Sequence, residues 1–189
     1  MNMIVEAESF AEDAHSGQKR KSTNRPYILH PIQVMQIVKG LTEDEEVIAA
    51  AVLHDTLADT SVTRDDLVKA FGKRVADLVA AVSEDKRKDQ PAETTWLERK
   101  EETIEHMKTA DRDVKLICLG DKLSNIRMIA MDYAVIGDEV WQRFNQKDKN
   151  MHRWYYTELY KILREEFGNI EEIHDYRNLL EKVFGWEGE

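Results

Sequence analysis

The chain contains few cysteine, proline and glycine residues. Its 189 residues include one cysteine, three prolines and eight glycines. A single cysteine, Cys118, excludes an intramolecular disulfide framework and a zinc site built from several cysteines. Such cysteine usage is typical of a reducing compartment, so we expect a cytoplasmic protein. No apolar run approaches the roughly 18 residues that a membrane span needs, and the acidic N-terminal stretch lacks the features of a signal peptide.

The chain also lacks an excess of positive charge. It has 27 Lys and Arg residues against 37 Asp and Glu residues, which gives a formal net charge of −10. An acidic surface repels a phosphate backbone, so nucleic acid is not an expected partner. Hydrophobic residues make up 42% and charged residues 34%, a balance typical of a folded globular protein. Any anionic ligand therefore has to bind at a local basic patch.

The spacing of apolar residues predicts helices along almost the whole chain. No segment alternates between apolar and polar residues as a half-buried strand does, and three- and four-residue steps prevail. Helices are predicted over approximately residues 4–14, 31–40, 42–59, 63–71, 75–82, 96–107, 114–133, 154–167 and 170–184. The charged stretch 85–94 is the best loop candidate. We predict an all-α fold in which residues 1–189 form a single helical domain.

Four polar residues stand in strongly apolar segments. His54 and Asp55 directly follow a seven-residue run that is apolar on every face of a helix. Asp121 follows a second apolar run, and His30 lies between two apolar pairs. A buried carboxylate is costly unless it is paired, hydrogen-bonded or bound to a metal ion. Two imidazoles and two carboxylates are therefore candidate metal ligands.

The alternative is that each of these four residues has a structural role. A histidine at a helix end is often satisfied by one hydrogen bond, and a buried aspartate by a helix N-terminus or an arginine. The candidates are far apart, with a separation of 24 positions from His30 to His54 and of 66 from Asp55 to Asp121. Only the fold can bring them together, so the spacing is less specific than that of a zinc finger. Their coincidence in three apolar segments nevertheless favours a site.

A basic patch precedes His30. Lys19, Arg20, Lys21 and Arg25 fall within seven residues of an otherwise acidic chain. A solvated loop and an anion-binding loop are both compatible with this run.

Four sequence blocks stand out along the chain: AHSGQKRK, PYILHP, HDT and DKLSN, which begin at residues 14, 26, 54 and 121. Together they resemble the HD-domain hydrolases of the RelA/SpoT type, and particularly the small stand-alone alarmone (ppGpp) hydrolases. The resemblance covers about residues 7–130, and the C-terminal third matches loosely. It implies an all-α HD-type domain. It also implies an enzyme that removes the 3′-pyrophosphate of guanosine tetra- and pentaphosphate, the nucleotides of the stringent response.

The resemblance further implies a metal site. Carried over block by block, the ligands of a divalent ion, typically Mn²⁺, are His30, His54, Asp55 and Asp121. A mixed nitrogen and oxygen donor set suits manganese or a similar first-row ion. In this family the ion makes a water molecule more acidic for in-line attack on phosphorus.

Substrate contacts are implied in the same way. The resemblance assigns Arg20 to the guanine base, Lys21 to a phosphate group and Asn125 to the nucleoside. His15 is a candidate for supporting the site, with a structural hydrogen bond as the alternative. The expected partner is a guanine nucleotide or another small phosphorylated substrate, and the oligomeric state is left open.

One position departs from the family pattern. The family usually has Glu-Asp where this chain has Ala58 and Asp59. The glutamate is held to activate or orient the attacking water, and loss of general-base assistance costs about 10²–10⁴ in rate. Asp59 is therefore the candidate catalytic residue. The alternatives are a catalytically weakened metal- and nucleotide-binding module, a hydrolase of a different nucleotide, or a helical interaction protein.

Overall fold

The computed structural model describes residues 2–21 and 23–188, and within these ranges the chain is helical and contains no β-strand. The helices are α1 (Met3–Ala14), α2 (Leu29–Lys39), α3 (Glu45–Leu53), α4 (Thr56–Asp59), α5 (Arg64–Phe71), α6 (Lys73–Val82), α7 (Trp96–Thr109), α8 (Arg112–Ile136), a 3-10 helix (Gly137–Arg143), α9 (Lys149–Phe167) and α10 (Glu171–Phe184). The predicted all-α class is confirmed. None of the described helices combines the length and the apolar character needed to cross a membrane.

The chain forms two compact units. Unit 1 consists of Met1–Asp85 and Leu116–Asp121, and unit 2 of Lys86–Lys115 and Lys122–Glu189. Helix α8 contributes residues to both units. A single domain over residues 1–189 stays a prediction.

The prediction for the third helix was wrong at both ends. Asp44, rather than Thr42, is the N-cap of α3, and its carboxylate accepts hydrogen bonds from the backbone N–H groups of Glu46 and Val47. Aspartate is among the strongest N-cap residues, so the helix begins there. At the other end α3 stops at Leu53, because the Thr56 hydroxyl donates to the Leu53 carbonyl at 2.7 Å.

Helix α3 lies at the centre of unit 1. It packs against α1, α2 and α6, and each of its residues from Val47 to Leu53 is buried. The sequence prediction of a helix apolar on all sides is thereby confirmed. His54 and Asp55 follow it directly, so the core fixes the place where these two residues leave the helix.

A close backbone approach brings α8 against α2 in unit 1. A Cβ atom on Gly120 would lie 2.9 Å from Val38 Cγ2 and 3.2 Å from the carbonyl oxygen of Val34. Any side chain at this position would therefore push the two helices apart. Because Asp121 is the next residue, this glycine sets how closely its carboxylate approaches α2.

Unit 2 is built from α7, α9 and α10, with α9 packed against each of the other two. Trp141 stacks against His152 and Phe184, with ring centroids 5.0 and 5.4 Å apart. The predicted loop at residues 85–94 contains no helix. Arg87 in this loop forms ion pairs with Glu98 and Glu102 of α7.

Candidate metal centre

Four side chains from three parts of the chain meet within unit 1. His30 lies in the first turn of α2, and Asp121 lies in α8. His54 and Asp55 occupy the break between α3 and α4, where they cap the two helices. The break turns consecutive residues towards the same point, as an uninterrupted helix would not.

The distances show how closely the four side chains approach. His30 Nε2 lies 3.1 Å from Asp121 Oδ1 and 3.7 Å from Asp55 Oδ2. His54 Nε2 lies 3.1 Å from Asp55 Oδ2 and 3.7 Å from Asp121 Oδ1. One potential ligand atom from each of His30, His54 and Asp121 falls within 4.8 Å of the others. The sequence-predicted ligands His30, His54 and Asp121 therefore lie within reach of one ion, and Asp55 Oδ2 lies beside both histidines.

The donor set fits a divalent cation. His54 Nδ1 lies 2.8 Å from the Ala51 carbonyl oxygen, which fixes the ring orientation. Its Nε2 atom is buried and, among the described residues, makes no hydrogen bond of good geometry. A metal-binding histidine is commonly held in this way, with one ring nitrogen on a carbonyl and the other left for the ion. The hard carboxylate oxygens and the borderline imidazole nitrogens suit a first-row divalent metal.

The electrostatics of the cluster also favour positive charge. Burial lowers the pKa of His54, but Asp55 and Asp121 outweigh this effect and raise the pKa to about 9. Burial raises the pKa of Asp55, yet the neighbouring His54 and His30 and the bond from Tyr27 bring it well below its ordinary value. Burial lowers the pKa of His30, which favours the neutral imidazole that binds metals.

Tyr27 contacts the cluster through Asp55. Its hydroxyl donates to Asp55 Oδ2 at 2.6 Å and lies 3.4 Å from Asp59 Oδ2. Burial and the nearby Asp55 raise the pKa of Tyr27 above its ordinary value, so the phenol keeps its proton. Sequence reasoning gave Tyr27 no role, although it stands in the same block as His30. The sequence offered one signal for such a role, which is the position of Tyr27 three residues before the candidate ligand His30.

His15 and Gln18 make further contacts around Tyr27 and Asp59. The His15 ring faces Tyr27 with centroids 4.9 Å apart, and His15 Nδ1 lies 2.9 Å from Gln18 Oε1. The Gln18 amide donates in turn to the backbone carbonyl of Asp59 at 2.9 Å. His15 thus makes a hydrogen bond of the structural kind and also packs against the residue that contacts Asp55. Gln18 was not singled out from the sequence.

The basic loop places one of its cations beside Tyr27. The guanidinium carbon of Arg20 lies 5.5 Å from the centre of the Tyr27 ring, and the Arg20 side chain is half-buried. The Arg20 N–H bonds the carbonyl of Arg25 at 3.0 Å, which closes the loop. Lys21 is exposed in the adjoining turn.

The remaining predicted residues differ in their surroundings. Ala58 is buried, and Asp59 is half-buried at the end of α4 with its carboxylate near the Tyr27 hydroxyl. Asn125 is half-buried in α8, one helical turn after Asp121, and belongs to unit 2. The structure therefore places both Asp59 and Arg20 beside Tyr27.

The chain is similar to known proteins in sequence and in fold. Residues 7–148 match the family described as HD domain. The chain is 38% identical over 128 residues to guanosine-3′,5′-bis(diphosphate) 3′-pyrophosphohydrolase MESH1 of Danio rerio, which covers 66% of this chain and 68% of that protein. It is 33% identical to the guanosine-3′,5′-bis(diphosphate) 3′-pyrophosphohydrolase of Aquifex aeolicus over 98% of this chain and 30% of that protein. A solved structure described as a metazoan ortholog of SpoT that hydrolyzes ppGpp matches with a TM-score of 0.71 and 27% identity, over 96% of this chain and 94% of that chain.

Proposed function

The chain belongs to the HD-domain family, and we propose on this basis that it is a metal-dependent hydrolase of guanosine tetra- and pentaphosphate. The reaction adds water at the phosphorus bound to the ribose 3′ oxygen. The bond between that phosphorus and the 3′ oxygen breaks, which leaves a 3′-hydroxyl group and free pyrophosphate. The convergence of His30, His54, Asp55 and Asp121 is the observation that carries the proposal.

The proposed ligands of the cation are these two histidines and two aspartates, and the proposed ion is Mn²⁺. Mixed imidazole and carboxylate donors suit manganese or a similar first-row ion. A divalent ion at this point supplies Lewis acidity, neutralises charge on phosphoryl oxygens and makes a water molecule more acidic. The buried positions of His30 and His54 keep competing water away from the ligand nitrogens.

The other predicted residues take roles around the nucleotide. We propose that Asp59 accepts the proton of the attacking water, because its carboxylate lies beside Tyr27 and Asp55. Arg20 contacts the guanine base, Lys21 a phosphate group and Asn125 the nucleoside. A guanidinium next to an aromatic ring gives a planar surface on which a base can stack.

The names of the relatives are those of hydrolases, which favours an enzyme over a binding module without catalysis. Guanosine tetraphosphate as substrate also leads us to propose a role in the stringent response. The single cysteine supports a cytoplasmic location.

The test is direct incubation of the purified protein with Mn²⁺ and guanosine tetraphosphate. We expect release of equimolar pyrophosphate and GDP. GDP and GTP serve as control substrates, because neither carries a 3′-pyrophosphate. Absence of turnover on every 3′-pyrophosphorylated nucleotide would contradict the proposal, whereas turnover of a different 3′-phosphorylated nucleotide would change the substrate and keep the reaction class.

A further inference from the structure

We infer that Tyr27 is a positioning residue that links the cation site to the nucleotide site. Its hydroxyl fixes the Asp55 carboxylate, and its ring supports Arg20. The inference rests on the proposed function in assigning these two neighbours to a cation and to a nucleotide. Tyr27 itself touches neither reacting atom in this scheme, so its action is through Asp55 and Arg20.

The hydroxyl contact selects one oxygen of the Asp55 carboxylate. The Tyr27 hydroxyl lies 2.6 Å from Oδ2, the short distance of an O–H donor on a charged acceptor. The same oxygen lies 3.1 Å from His54 Nε2 and 3.7 Å from His30 Nε2. A carboxylate oxygen has two lone pairs. With one directed to the phenol, the other is left to face the cation, and rotation of the carboxylate about its Cβ–Cγ bond is restrained.

The Tyr27 ring is held on several sides. His15 lies against it with centroids 4.9 Å apart and an interplanar angle of 36°. The His30 ring approaches at 75° with centroids 6.0 Å apart. Arg20 lies 5.5 Å from the ring centre. A side chain that orients a ligand is effective only if its own rotamer is fixed by packing, and these contacts meet that condition.

The two contacts of Tyr27 can be separated by mutation. Tyr27→Phe removes the hydroxyl and keeps the ring. Loss of a group that orients a metal ligand typically costs about 10- to 100-fold in metal affinity or activity. We therefore expect Tyr27→Phe to weaken Mn²⁺ binding by about 10- to 100-fold. With Mn²⁺ saturating, the KM for guanosine tetraphosphate should stay within about twofold, because the ring still supports Arg20. Tyr27→Leu should weaken Mn²⁺ binding similarly and also raise KM.

The first readout is Mn²⁺ binding without nucleotide, measured from the electron paramagnetic resonance signal of free Mn²⁺ during titration. Tyr176→Phe is the matched control. Tyr176 is a fully buried tyrosine of unit 2 whose hydroxyl donates to the Tyr156 carbonyl at 3.1 Å. If the loss of a buried hydroxyl affects folding alone, both phenylalanine variants have a lower unfolding midpoint and neither has a lower Mn²⁺ affinity. Weaker Mn²⁺ binding in Tyr27→Phe alone identifies the positioning role.

The outcomes of the inference and of the proposed function are distinguishable. Equal Mn²⁺ affinity in the wild type and in Tyr27→Phe would overturn the positioning role and leave the hydrolase proposal intact. A wild type that binds Mn²⁺ but turns over no 3′-pyrophosphorylated nucleotide would defeat the hydrolase, while the Mn²⁺ titrations would still decide the contact with Asp55. A wild type that binds no divalent ion would overturn both.

Discussion

His30 and His54 come from different helices, yet their rings meet nearly edge to face with centroids 5.1 Å apart. Each Nε2 atom also lies 3.1 Å from a carboxylate oxygen, of Asp121 for His30 and of Asp55 for His54. Packing of α2 against α3 in unit 1 determines this relationship. The placement of the proposed ligands is therefore a property of the core of unit 1, and mutations of single side chains can test it.

Removing one carboxylate should abolish tight metal binding. Asp121→Asn keeps the size of the side chain and removes the negative charge 3.1 Å from His30 Nε2. We expect Mn²⁺ affinity to fall by at least about 100-fold, because loss of a ligand exceeds the loss expected for a supporting group. Calorimetric titration measures this change. Asp175→Asn, in an aspartate paired with Arg127 on the surface of unit 2, is the control and should bind Mn²⁺ normally.

Metal binding should stabilise the folded chain. A ligand present at 100 times its Kd adds about 2.7 kcal/mol to the free energy of unfolding. For a chain of this length, that corresponds to a rise of about 5–10 °C in Tm. Differential scanning fluorimetry with Mn²⁺ and with excess chelator measures the difference. The rise should vanish in Asp121→Asn, and its persistence there would place the bound ion elsewhere in the chain.

The carboxylate of Asp59 should account for much of the rate. Asp59→Asn should lower kcat by about 10²–10⁴, the usual contribution of general-base assistance, and leave Mn²⁺ affinity within about threefold. The supporting observation is the position of Asp59 beside the Tyr27 hydroxyl. Steady-state kinetics at saturating Mn²⁺ give the measurement.

Ala58 offers a companion experiment. Adding Ala58→Glu to the Asp59→Asn variant should restore part of the rate, because it returns a carboxylate one residue away. An unchanged kcat in Asp59→Asn would remove Asp59 from catalysis. A large gain from Ala58→Glu in the otherwise natural chain would show instead that the natural protein is impaired for this reaction.

Gly120 should be required for the close approach of α8 to α2. Alanine gains up to about 1 kcal/mol from helix propensity, but overpacking against rigid neighbours costs about 1–3 kcal/mol. The new Cβ atom would meet Val38 Cγ2 at 2.9 Å and the Val34 carbonyl oxygen at 3.2 Å. We expect Gly120→Ala to lower the free energy of unfolding by about 1–2 kcal/mol, measured by denaturant titration.

A double-mutant cycle identifies the source of this loss. Val38→Ala removes the atom nearest to the new Cβ, so Gly120→Ala should cost less in the Val38→Ala background. Strict additivity of the two mutations would show that the contact with Val38 is not the cause.

The sequence predicted the members of this cluster because charged groups in apolar segments are conspicuous. His54 and Asp55 follow a run that the structure buries on every side, and a buried charge needs a partner. The end of the third helix was not predictable in the same way. It depends on the hydroxyl of Thr56 bonding the Leu53 carbonyl, and threonine inside a helix pattern is compatible with either outcome.

Tyr27 shows a second limit of sequence reasoning. Its partner Asp55 is 28 residues away, and their contact depends on how the basic loop closes. Tyrosine is common both in cores and at polar sites, so its presence alone does not identify a contact. The Gln18 bond to Asp59 spans 41 residues and is equally hidden in the sequence. Ligand types can be read from residue chemistry, whereas the groups that orient them require the fold.

The most direct test of the central claim is anomalous diffraction at the manganese edge from crystals grown with Mn²⁺. We predict one strong peak within about 2.0–2.6 Å of His30 Nε2, His54 Nε2, and one carboxylate oxygen each of Asp55 and Asp121. A peak bound by other residues, or no peak at a concentration that supports turnover, would contradict it.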